Sequence, residues 1–131
     1  MATAPNFTGT PRVGVASVST ANANRDGTGT IVDVITGAST GTKIQEIVIK
    51  STNDPADSIV TLFLNDGTTN WLFDEIDLGN PAAGSTTVTA YRTVAQYSNL
   101  ILPNASWKVR AAITVAPTAG VINVFAVGGD F

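Results

Sequence analysis

Asp74, Glu75 and Asp77 form the densest acidic cluster in the chain, with Asp66 a short way upstream. Carboxylates this close together are what a calcium ion wants, because a hard cation collects several oxygen ligands. The spaced Asp and Asn pattern of a calcium loop is missing, however, and in an extended segment Asp74 and Glu75 point to opposite faces. A glycosidase would need two carboxylates about 5 to 10 Å apart in an aromatic-lined cleft, for which Trp71 and Glu75 are the only pieces. A solvated strand edge accounts for both residues more simply. Gly27-Thr28-Gly29 and Gly128-Gly129 read as turn glycines, since neither lies between a strand and a helix as a phosphate loop must. The residues therefore give no catalytic group, no metal-ligand set and no cofactor site.

The 131 residues contain no histidine and no cysteine. These two side chains supply most general bases, thiolate nucleophiles and soft metal ligands near neutral pH, so their absence closes most routes to catalysis. The expectation is a protein that is not an enzyme and works by shape and contact. Without cysteine there is no disulfide framework, and stability must come from core packing or assembly.

Charged residues make up 13% of the chain, against roughly 25% in ordinary soluble domains, while hydrophobic residues reach 44%. Thr, Ser, Asn and Gly must cover the remaining surface. That balance suits a protein with part of its outer surface covered in the working state, or an extracellular β-domain rich in Ser and Thr. The formal net charge of -3, with seven dispersed Lys and Arg, argues against a nucleic-acid partner, which needs clustered cations. No apolar run approaches the roughly 20 residues that cross a bilayer, and Met1 to Asn6 lacks the basic and apolar regions of a signal peptide. No membrane partner is expected. The sequons at Asn6 and Asn104 carry no weight in a chain so rich in Ser and Thr.

Short runs of strand-like period are separated by turn residues every 10 to 15 positions or about that, the spacing of sandwiches and barrels. Residues 1–11, with two prolines and a glycine, read as an extended N-terminal arm, and 12–131 as one β-sandwich domain. Strands are expected at Arg12–Ser19, Thr30–Thr36, Lys43–Lys50, Ser58–Asn65, Asn70–Asp77, Thr86–Val94, Trp107–Val115 and Gly120–Val127. Eight antiparallel strands fit a jelly roll, with an immunoglobulin-like sandwich as the next choice.

Within Trp107–Val115, the residues Trp107, Val109, Ala111, Ile113 and Val115 alternate with Lys108, Arg110, Ala112 and Thr114, so one face is buried and the other wet. Asp66-Gly67 marks a hairpin between Ser58–Leu64 and Trp71–Ile76. Trp107 reads as core. Trp71 reads as core or, like Tyr91 and Tyr97, as a sugar-stacking ring. The last strand is apolar on both faces, Val121, Phe125 and Val127 on one and Ile122, Val124 and Ala126 on the other, which suits a subunit contact.

Three stretches are more distinctive: Pro5-Asn6-Phe7-Thr8-Gly9-Thr10-Pro11-Arg12-Val13-Gly14, Thr20-Ala21-Asn22-Ala23-Asn24-Arg25-Asp26-Gly27-Thr28-Gly29, and Asn123-Val124-Phe125-Ala126-Val127-Gly128-Gly129-Asp130-Phe131. Together they resemble small structural proteins of tailed bacteriophages, over nearly the whole chain. That resemblance implies a virion protein, in particular a capsid decoration or cement protein. Such a protein sits as a homotrimer on the outer capsid surface, binds the major capsid protein and needs no cofactor, and it is made in the bacterial host cytoplasm. A receptor-binding or fibre-tip module, a tail or head-completion component, and a carbohydrate-binding jelly roll are the alternatives. On this reading Phe7 and Pro11 of the arm, Arg12 directly after it, and Val121, Val124, Phe125 and Val127 of the last strand form the interface.

Overall fold

A computed structural model describes residues 8–131. The chain forms eight strands: β1 (Thr10–Val18), β2 (Val32–Thr36), β3 (Thr42–Ser51), β4 (Ser58–Asn65), β5 (Asn70–Gly79), β6 (Arg92–Leu102), β7 (Lys108–Ile113) and β8 (Ile122–Asp130). They pair antiparallel into two four-stranded sheets, sheet I in the order β1-β8-β3-β6 and sheet II in the order β2-β7-β4-β5. This is a jelly roll, in which chain-distant strands lie side by side and the two sheets face each other across one core. The immunoglobulin-like alternative is excluded by that order.

Alternation decides which side chains enter the core. Ile44, Ile47 and Ile49 of β3, Val60 and Leu62 of β4, Val109, Ala111 and Ile113 of β7, and Ile122, Val124 and Ala126 of β8 are all fully buried between the sheets. The change from even to odd positions in β3 follows from a bulge at Gln45, where the register with both β6 and β8 shifts. The hairpin at Asp66-Gly67 forms as expected, with Asn65 opposite Asn70 and Gly67 at a φ of 107°.

Three expectations need correction. The strand expected at Thr86–Val94 lies at Arg92–Leu102, because Ser85 to Val88 close a tight turn: Ser85 N donates to Val88 O, and Ser85 Oγ accepts from Thr87 N and Val88 N. The alternation expected over Trp107–Val115 fails at two positions: the outer side of β7 is not wet at Ala112, which is 1% exposed, and Val115, expected on the buried face, lies past the end of β7 and is exposed. Trp71, a candidate for the core, is 56% exposed. β1 begins at Thr10, and residues 1–7 of the expected arm, Phe7 among them, lie outside the described residues.

Ala112 is buried because the β1–β2 connection folds back over sheet II. Asn22 N donates to Ile113 O at 2.7 Å, and Arg110 Nη2 donates to Ile31 O at 2.8 Å. Asn70 Nδ2 donates to Gly27 O at 3.0 Å, and Arg25 pairs with Glu75. Ile31 is thereby laid on Phe63 and Ala112 as a second small core on the outer side of the sheet. The molecule covers one of its two outer faces with its own chain.

Candidate interaction surface

The outer face of sheet I has no such cover over its β1 and β8 strands among the described residues; at the far end Lys50 Nζ donates to Ala90 O at 2.7 Å. The strand registers line its side chains up in rows across four strands. Val15, Phe125, Val48 and Val94 form one row, since Phe125 lies opposite both Val15 and Val48, and Val48 opposite Val94. Val13, Val127, Glu46 and Gln96 form the next row toward the β1 N-terminus; Ser17, Asn123, Lys50 and Arg92 flank the apolar row on its other side. Val13 and Val15 are 66% and 56% exposed. A continuous apolar stripe on an outer sheet face is the signature of a surface that meets something.

The sequence-derived interface residues divide across this geometry. Phe125, Val127 and Pro11 stand at outward-facing positions of sheet I. Val124 is fully buried in the core and offers no side-chain surface. Arg12 turns to the rim, where its Nη1 donates to Thr36 O at 2.8 Å and lies 3.3 Å from Asp130 Oδ1, itself the acceptor of Thr42 Oγ1 at 2.7 Å. Val121 is half-buried just before β8. Val13, Val15, Val48 and Val94 belong to the surface and were missed. Finding them needs the strand order, since Val15, Val48, Val94 and Phe125 are each more than 30 positions apart in sequence.

The acidic cluster is dispersed. Tyr97 donates to Asp74 Oδ2 at 2.6 Å across the gap between the sheets, whereas Glu75 pairs with Arg25. Asp66 accepts from the N–H groups of Thr68 and Thr69 and from Trp71 Nε1, and these hydrogen bonds hold its carboxyl well below the usual carboxylate range. Among the described residues no three such side chains converge as a metal site would require. Nor, among the described residues, is any helix long and apolar enough to cross a membrane.

No family model matches the chain, and no curated protein does. Solved structures do resemble it. One is a chain in the acidic stable capsid structure of Helicobacter pylori bacteriophage KHP30, which is 15% identical with a TM-score of 0.56 over 92% of this chain and 86% of that one. This chain shares that fold. Chains of the cyanophage Pam1 capsid asymmetric unit and of the capsid of Ralstonia phage GP4 align at 17% and 15% identity, with TM-scores of 0.44 and 0.42. Those alignments span 98% and 100% of this chain and 90% and 91% of theirs.

Proposed function

We propose that this protein is a structural component of a phage particle, and within it a capsid decoration protein. It binds the outer surface of the shell, contacts the major capsid protein and stabilises the joints between capsomers. The observation that carries this reading is the fold likeness to a chain of a phage capsid structure, which spans nearly all of both chains. The uncovered apolar row on sheet I supports it, because an assembly protein needs a surface reserved for a partner. Modest contacts repeated around a symmetric oligomer gain strength through multivalency, so no cofactor or deep pocket is needed. Made in the host cytoplasm, such a protein leaves with the particle.

The test is addition of the purified protein to phage shells that lack it. Saturable binding at a fixed ratio to the major capsid protein, with a higher rupture temperature, is the expected result. Absence of binding would overturn the decoration role, and a few copies per particle would assign the chain to a tail or head-completion position. One observation favours a receptor-binding module: Trp71 is exposed and its ring is held by Asp66, as a sugar-stacking platform would be. Specific retention on a glycan array, lost in Trp71→Ala, would establish that second reading.

A further inference from the structure

Four of the seven cations are held in ion pairs: Arg12 with Asp130, Arg25 with Glu75, and Lys108 and Arg110 both with Asp33. The other three, Lys43, Lys50 and Arg92, all lie at outward-facing positions of sheet I, where the registers place a single acid, Glu46. In a chain of net charge -3 this one face is therefore net positive. The opposite composition occurs on β5, the free edge of sheet II. Between Asn70 and Gly79 that strand carries Asp74, Glu75 and Asp77, of which Glu75 alone is paired with a cation, Arg25, and it exposes Trp71 and Leu72.

We propose that the outer face of sheet I receives the β5 edge of a second copy of this chain, head to tail. Trp71 and Leu72 of one copy then cover the Val15, Phe125, Val48 and Val94 row of the next, and Asp77, with the charge that Asp74 keeps beside Tyr97, meets Lys43, Lys50 and Arg92, while Glu75 stays with Arg25. Stacking sheet I on itself would set two net-positive faces together, a like-charge contact that costs affinity. Because the two patches differ, each added copy still offers one free face and one free edge, so the contact propagates. A head-to-tail contact of this kind builds an assembly of three or more copies, a closed ring where the rotation between copies closes and an open filament where it does not. This contact is a property of the chain itself and stands whether or not the chain decorates a shell.

The experiment uses light scattering on the full chain and on two variants, Val15→Asp, which spoils the face, and Trp71→Asp, which spoils the edge. Both positions are more than half exposed, and circular dichroism with thermal melting confirms that the variants fold. The expected result is a wild-type mass of three or more 13.5 kDa chains, and single chains for each variant alone. Mixed in equal amounts, the variants should yield a 1:1 pair and nothing larger, since only one intact face and one intact edge remain. Raised salt should loosen the wild-type assembly, because its charge component is screened. A monomeric wild type would overturn the proposal. So would a dimer indifferent to Trp71→Asp, or folded variants that fail to pair when mixed.

Discussion

The phenol of Tyr97 on β6 donates to Asp74 Oδ2 on β5 at 2.6 Å, joining one edge strand of each sheet. The ring of Tyr97 also lies 6.0 Å from that of Phe73, centroid to centroid and tilted by 55°. Phe73 can face inward there because the β4–β5 register shifts between Leu62 and Phe63. One bulge thus sets both halves of the contact. Tyr97→Phe keeps the aromatic pair and removes the hydrogen bond to a carboxylate, so it should cost about 1.5 to 3 kcal/mol. Chemical denaturation at neutral pH measures this directly.

The same pair makes stability fall in alkali. Burial raises the Tyr97 phenol above its ordinary value of 10.0, and the hydrogen bond to Asp74 and the charge of Asp74 raise it further. Folding then favours the protonated phenol, so this contribution is fully present below pH 10 and is lost as pH rises through the folded value. Unfolding free energies measured from pH 8 upward should decline above pH 10 in the wild type. That component of the decline should be absent in Tyr97→Phe.

At the acid end, Asp66 behaves in the opposite sense. Backbone N–H groups of Thr69 and Thr68 and the Trp71 indole depress its folded value below the ordinary 3.8. Its contribution is present above that ordinary value and is lost as pH falls through the folded one. Trp71 emission, read in a Trp107→Phe background, should stay constant through pH 3.8 and change only at lower pH. Asp66→Asn should abolish the change.

Phe63 tests the cover over sheet II. It is fully buried beneath Ile31, outside the main core. Phe63→Ala should cost about 3 to 5 kcal/mol, as a cavity in a packed core does. Proteolysis of the variant should cut first within residues 19–31, where the wild type resists.

Gly128 is fixed by close approach. A Cβ there would overlap the carbonyl of Lys43 on the neighbouring strand, a backbone group that cannot swing away. Gly128→Ala should destabilise by about 1 to 3 kcal/mol. Gly9→Ala, whose Cβ would meet open space, should be tolerated, and paired melting curves make the comparison.

Seven of the eight strands were legible because their alternation survives in sequence. Val109, Ala111 and Ile113 are one face of β7, and Ile122, Val124 and Ala126 one face of β8, and both sets lie in the core. The sixth strand failed because Thr86, Thr87 and Val88 have strand-forming side chains, yet Ser85 captures two of their N–H groups in a turn. On the surface, the two-sided apolar character of β8 marked Phe125 and Val127. Which neighbours complete the row depends on β8 lying between β1 and β3, a pairing across more than 70 residues that local pattern does not encode. Nor does it encode that residues 19–31 cover one sheet and leave the other bare.

The pairing of β8 with both β1 and β3 governs when this protein can fold during synthesis. Of the eight strands Thr10–Val18 leaves the ribosome first, and its partner, Ile122–Asp130, leaves last. Until then sheet I lacks an interior strand, and Val15 and Val48, later flanking Phe125, stand apart on segments without their shared neighbour. The nascent chain must carry these apolar stretches unpaired until β8 is made, so its exposure to chaperones and to misassociation is set by elongation time.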